Sequence, residues 1–147
     1  MGLSLGYRPN ILNYGYIIVG DVLAEPVLLS IVELGGYPDF APVYKAAGYE
    51  VISVTSMRKA MSTIKKRTPD VIVAEFNFQS DFRDRTSSLE SLMATLQGVT
   101  GDPVLLVLYE KEFAPHFERV TSRFTIHHAL SFPVSNEQIM GCLEQSV

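Results

Sequence analysis

The chain has 147 residues, a net charge of −4 at pH 7 and an apolar fraction of 47%. This length suits one globular domain with a sizeable core. The acidic balance argues against a nucleic-acid-binding surface, which needs clustered lysine and arginine. No apolar run approaches the ~18 residues needed to cross a membrane. No secretory signal is visible either, so we expect a cytoplasmic protein.

Residues 1–25 do not fit the pattern that follows them. An apolar run at residues 14–20 could form a strand. We expect an N-terminal extension with an extra strand or hairpin, which covers a sheet edge or pairs with another copy. An irregular tail, partly ordered against the domain, is the alternative. We therefore separate this extension from a domain at residues 26–147.

From residue 27 onward, strand and helix signals alternate. Five short apolar runs predict strands at residues 27–33, 49–54, 69–76, 104–109 and 126–132. Apolar runs without polar alternation are typical of strands that are buried on both faces, as in parallel sheets. The run at 69–76, which is opened by a proline and closed by one carboxylate, is expected at the centre of the sheet.

Each predicted strand is followed by a helix signal. Ser56 is a candidate N-cap, and two capping boxes pair Ser87 with Glu90 and Ser135 with Gln138. Five strand–helix units require a parallel sheet with helices on both faces, because each crossover is right-handed. The sequence therefore predicts a doubly wound, flavodoxin-like α/β fold with five parallel strands.

Two predicted strands end on a carboxylate: Glu33 follows the first strand and Glu75 ends the central one. In open α/β sheets, ligands and chemistry collect at the carboxyl ends of the strands. A long polar loop, residues 77–85, then carries Phe78 and Phe82. Aromatic side chains in such a loop either pin it to the domain or anchor a partner.

Four segments together carry a family resemblance: residues 31–33, 46–51, 69–75 and the pair Phe132-Pro133. In this order and at this spacing, the chain from about residue 27 to residue 147 resembles a receiver domain. Receiver domains are the phospho-accepting modules of bacterial two-component response regulators. The resemblance implies the same doubly wound fold and a role in signal transduction.

The resemblance also assigns the acidic positions of the site. The family's phospho-accepting aspartate falls on Glu75. Its adjacent acidic pair, which holds Mg²⁺, falls on Glu33 and Leu34, so one carboxylate is lost. Magnesium requires near-octahedral oxygen ligation, which two glutamates alone supply poorly. We therefore expect no metal and no other cofactor.

The donor positions depart from the family as well. The hydroxyl that binds the phosphoryl group falls on Leu108, or on Tyr109 if the register shifts by one residue. The family's lysine falls on Phe132, and its following proline is kept as Pro133. Phosphoryl transfer needs a placed nucleophile, a metal and cationic or hydroxyl donors. The resemblance therefore implies a degenerate receiver that is neither phosphorylated nor an enzyme.

Two functions remain open. The first is a receiver-like interaction domain in bacterial signal transduction, which binds a protein partner or itself. The alternative is a small-molecule-binding regulatory domain that uses the crevice at the carboxyl ends of the strands, where Leu108 and Phe132 make the surface more apolar. Glu75 either mimics a phosphorylated state or is a solvated carboxylate.

The remaining candidates have ordinary structural interpretations. Phe113 and Phe117 repeat at helical spacing, which favours core packing, although receiver-like domains often bind partners through the fourth helix, fifth strand and fifth helix. His127 and His128 are adjacent on a strand and point to opposite faces, so they cannot share one metal. The single cysteine, Cys142, excludes an internal disulfide, and its apolar setting indicates packing rather than nucleophilic chemistry.

Overall fold

The computed structural model describes residues 25–33, 38–76 and 88–145. Within them, five strands alternate with five α-helices. The strands are β1 (Val27–Ile31), β2 (Glu50–Val54), β3 (Val71–Glu75), β4 (Val104–Tyr109) and β5 (His128–Ser131). The helices are α1 (Ala41–Ala46), α2 (Met57–Lys66), α3 (Ser88–Leu96), α4 (Ala114–Thr121) and α5 (Asn136–Gln145), with a 3₁₀ turn at Lys111–Phe113 before α4.

All strands are parallel, and their order in the sheet is β2-β1-β3-β4-β5. The central position of β3 and the doubly wound, flavodoxin-like topology are as predicted. The predicted N-terminal extension lies almost wholly outside the described residues. No helix in the described part of the chain is long and apolar enough to cross a membrane.

Side chains of β3 alternate between two buried layers, because successive residues of a strand point to opposite faces of the sheet. Ile72 and Ala74 pack with residues of α2, α3 and α4. Val71 and Val73 pack with residues of α1 and α5. All four are at most 3% exposed. A strand buried on both faces explains why this run is continuously apolar.

The capped helix starts agree with the sequence. The backbone N–H of Lys59 donates to Ser56 Oγ at 3.1 Å, which caps α2. At α5 the capping box is reciprocal: the Gln138 N–H donates to Ser135 Oγ at 3.1 Å, and the Ser135 N–H donates to Gln138 Oε1 at 2.9 Å. The predicted cap Ser87 lies outside the described residues.

Two side chains accept backbone N–H groups of the strands, which the hydrophobic pattern of the sequence did not predict. Asp70 Oδ2 accepts from the Val27 N–H at 2.8 Å, and the Asp70 N–H donates to the Val27 carbonyl at 2.9 Å, which ties the start of β3 to β1. His127 Nδ1 accepts from the Leu105 N–H at 3.0 Å. This imidazole accepts the Leu105 N–H, which a backbone carbonyl would accept if the strand extended further. β5 therefore begins at His128 rather than at the predicted residue 126.

Candidate functional site

The carboxyl ends of β3 and β4 bring two predicted site residues together. Glu75 and Leu108 are direct register partners in the sheet. Paired residues of parallel strands point to the same face, and Leu108 packs in the layer that faces α1 and α5. Phe132 joins them from the end of β5, where its N–H donates to the Tyr109 carbonyl at 2.9 Å and its side chain packs against the same layer.

A cavity of about 160 Å³ lies at this edge of the sheet. It is lined by Glu75, Leu108 and Phe132. Phe40, just before α1, and Tyr44, within α1, line it as well. Phe40 is 6% exposed and Tyr44 is 3% exposed, so these two aromatic side chains form part of a buried wall. The site is therefore a small, largely apolar cavity rather than an open groove.

Three polar groups of this cavity are buried. Glu75 is 6% exposed, Ser30 is 7% exposed, and the Tyr44 hydroxyl is hydrogen-bonded to the Ser30 side chain. Burial is the main cause that raises the pKa of Tyr44, and the charges of Asp39 and Glu75 raise this pKa further, while the Ser30 hydrogen bond opposes them. Tyr44 is therefore a neutral phenol at physiological pH.

The mouth of the cavity has a different character. Asp39 is exposed there, and its Oδ1 accepts from the Ala41 N–H at 3.0 Å at the start of α1. Val32, at 39% exposure, is the exposed large hydrophobic residue of the described chain and also lines the cavity. An acidic, partly apolar rim thus leads to a buried carboxylate.

Two other predicted acidic-site positions, Glu33 and Pro133, are described and do not line this cavity. Glu33 lies two residues beyond the end of β1 and is half-buried. Pro133 is exposed and follows a cis peptide bond from Phe132. Leu34, Phe78 and Phe82 lie outside the described residues. Of the residues that the sequence assigned to one site, the structure brings Glu75, Leu108 and Phe132 together around the cavity.

Tyr109 belongs to the opposite layer. Its ring stacks on Phe117 with centroids 4.6 Å apart, and Phe117 also meets Phe76 at 5.3 Å. The receiver family's phosphoryl-binding hydroxyl position therefore fits the cavity when it is assigned to Leu108. It does not fit when it is assigned to Tyr109. Phe117 is 4% exposed, so this candidate partner-face residue is in the core, whereas Phe113 is half-buried.

The residues that line the cavity fit a magnesium ion poorly. Glu75 and Asp39 supply the carboxylates, and most other lining residues are hydrophobic. Among the described residues, no group of three or more His, Cys, Asp or Glu side chains is arranged to hold a metal. Since Mg²⁺ requires near-octahedral oxygen ligation, we assign it no role at this site.

Sequence reasoning missed Ser30, Asp39, Phe40 and Tyr44 as site residues. One signal was present: Ser30 is a polar residue inside the apolar run of β1. A polar side chain in a strand buried on both faces needs a hydrogen-bond partner. Tyr44 gave no such signal, because its place in the cavity depends on how α1 packs on the sheet.

No protein-family model matches the chain, and no curated protein matches it in sequence. Solved structures do match it in shape. The chemotaxis protein CheY4 of Vibrio cholerae aligns with a TM-score of 0.66 at 20% identity, over 84% of this chain and 100% of that chain. A response regulator receiver protein of Sinorhizobium medicae aligns with a TM-score of 0.65 at 16% identity, over 84% and 95%.

A response regulator receiver domain protein of Clostridium thermocellum aligns with a TM-score of 0.64 at 10% identity, over 82% of this chain and 93% of that chain. Identities this low establish a shared fold and nothing finer. The strand order, the helices on both faces and these alignments agree. The chain therefore has the fold of response regulator receiver domains.

Proposed function

We propose that this chain is a signalling domain that works without phosphorylation, through contacts with a protein partner or a second copy of itself. The fold supports the signalling role, since the proteins that share it include a chemotaxis protein and a response regulator receiver protein. The absence of phosphorylation is argued from the chemistry of the cavity around Glu75.

The burial of Glu75 is the observation that carries the proposal. This residue is 6% exposed and pairs in register with Leu108, and Phe132 lines the same cavity. A phosphodonor must approach an acceptor in line, and catalysis then depends on charge stabilisation around the transferred group. The side chains of Leu108 and Phe132 carry neither a hydrogen-bond donor nor a positive charge for the transferred group.

The charges around the cavity oppose a phosphoryl group as well. A phosphorylated side chain carries a charge of about −1.5 to −2 at pH 7. Among the described residues that line the cavity, Asp39 and Glu75 are the charged ones, and none is a lysine or an arginine. A phosphoryl group on Glu75 would therefore face Asp39 in a poorly solvated site, and no described lining residue would supply a compensating cation.

The contact surface is argued from the resemblance and from exposure. Receiver-like domains commonly bind partners through the fourth helix, fifth strand and fifth helix, which correspond here to α4, β5 and α5. Phe117 is buried, but Phe113 at the start of α4 is half-buried. Of these two aromatic residues, Phe113 is the one that a partner could reach.

Treatment with acetyl phosphate and Mg²⁺, followed by intact-protein mass spectrometry, tests the proposal. We expect the wild-type protein to keep its unmodified mass. Glu75→Gln is the matched control, because it removes the acceptor carboxylate with little change of shape. A phosphoryl adduct that forms on the wild type and is lost in Glu75→Gln would overturn the proposal.

A further inference from the structure

We propose that the cavity at the carboxyl edge of the sheet binds a small organic cation, such as a methylated ammonium group. Glu75 would supply the countercharge, and Phe40, Tyr44 and Phe132 the aromatic walls. This inference goes beyond the proposed function, which requires only that the domain acts without phosphorylation. It rests on the size, the charge and the aromatic lining of the cavity.

The size of the cavity limits the ligand. Its volume is about 160 Å³, and an apolar cavity of ~150 Å³ holds a molecule of the size of benzene. A tetramethylammonium ion is of that order, whereas a nucleotide or a dinucleotide is far too large. The narrow volume therefore favours a compact ligand or the head of a longer one that emerges at Val32 and Asp39.

The charge of the cavity selects a cation. Glu75 is buried and Asp39 lies at the mouth, and among the described lining residues there is no lysine, arginine or histidine. Glu75 already makes interactions of its own, and a carboxylate has about four acceptor positions, so these interactions leave room for a ligand. An anion such as phosphate is repelled by the same two residues.

The aromatic lining distinguishes an organic cation from a metal ion. Ammonium groups are attracted to the faces of tyrosine and phenylalanine rings, with larger gains in desolvated sites. Phe40 and Tyr44 are nearly fully buried, and Phe132 is half-buried at the end of β5. Hard divalent cations instead demand several oxygen ligands, which the apolar lining does not provide.

The cavity also lies where a ligand would contact several elements at once. Its lining includes residues from β1, β3 and β4, the end of β5 at Phe132, and α1 at Tyr44. A bound cation would therefore contact both the first βα unit, through β1 and α1, and the residue that follows β5.

Amide NMR titration of the full chain with tetramethylammonium chloride tests the site, at ionic strength matched with sodium chloride. We expect saturable shifts centred on Ser30, Tyr44 and Glu75, with half-saturation near 1 mM, as suits so small a ligand. tert-Butanol, a neutral molecule of similar size, and phosphate should give no saturable shifts at these residues.

Variants separate the contribution of charge. Glu75→Gln should weaken binding at least about tenfold, and Asp39→Asn about two- to threefold, since Asp39 is solvated at the mouth. Asp39→Asn keeps the oxygen that accepts from Ala41, so it retains the fold even if Glu75→Gln does not. Glu118→Gln, on the exposed side of α4, is the matched control and should bind as the wild type does.

Three results would overturn the inference: no saturable shift with tetramethylammonium, an equal response to tert-butanol, or unchanged affinity in both Glu75→Gln and Asp39→Asn. None of these results bears on the phosphodonor experiment. The failure of the cation site would therefore leave the proposed function standing, and a phosphoryl adduct on Glu75 would refute that function whatever tetramethylammonium does.

Discussion

Replacement of Tyr44 by phenylalanine should change the pH dependence of stability in a defined direction. Burial raises the pKa of this phenol above its ordinary value of 10.0, and the charges of Asp39 and Glu75 add to the effect. A folded-state pKa that is raised means that the contribution to stability is fully present below the unfolded-state pKa. It is lost as the pH rises towards the folded-state pKa.

The size of the effect follows from proton linkage. A tyrosine ionises above about pH 10 in the unfolded chain, whereas the fold keeps Tyr44 protonated. Above that pH, the free energy of unfolding therefore falls by about 1.4 kcal/mol per pH unit. Between pH 8 and pH 11 the wild type should therefore lose about 1.4 kcal/mol through Tyr44 alone. Tyr44→Phe avoids this loss, but it removes the hydrogen bond with Ser30, which costs about 1 kcal/mol at any pH.

Urea unfolding of both proteins at pH 8 and at pH 11 measures the two contributions. We expect Tyr44→Phe to be about 1 kcal/mol less stable than the wild type at pH 8, and equally or slightly more stable at pH 11. Tyr49→Phe should show a change of the same sign, because burial also raises the pKa of Tyr49. Parallel pH dependences of the wild type and Tyr44→Phe would refute the placement of Tyr44 in a buried site.

Other predictions follow from single contacts. Asp70→Ala leaves the buried Val27 N–H without its acceptor and should lower the free energy of unfolding by about 1–3 kcal/mol in chemical denaturation. The control Asp102→Ala, at an exposed acid, should change it by no more than about 0.5 kcal/mol. Equal effects of the two variants would exclude a stabilising role for the Asp70–Val27 hydrogen bond. Phe117→Ala should cost about 3–5 kcal/mol because its ring is buried against two aromatic neighbours, and a loss of under ~1 kcal/mol would contradict that packing. Burial raises the pKa of the Cys142 thiol, so its rate of alkylation by iodoacetamide should keep rising with pH beyond the point where a free thiol levels off.

The fold could be predicted from the sequence because its signals are local. Continuous apolar runs marked the strands, and serine caps marked the helix starts at Ser56 and Ser135. Parallel strands that end at one edge also place Glu75 beside Leu108 without any knowledge of packing. Strand bounds depend on individual contacts as well: β5 begins later than predicted, because the His127 imidazole accepts the Leu105 N–H in place of a backbone carbonyl.

The site could be predicted only in part, because its remaining residues are brought in by packing between layers. The position of Tyr44 depends on the rotation of α1 over the sheet, which periodicity in so short a helix does not fix. The rim residue Asp39 depends on the turn that enters that helix. Of the two interpretations of Glu75 that the sequence left open, the solvated carboxylate does not fit the structure, since this residue is 6% exposed.

We propose above all that the edge of the sheet around Glu75 does not accept a phosphoryl group. An amide NMR titration with Mg²⁺ and beryllofluoride, which mimics a phosphoryl group, tests it most directly. We predict no saturable shifts at Glu33, Glu75 and Leu108. Saturable shifts centred on these three residues would mean that a working acceptor site survives, and they would contradict the account.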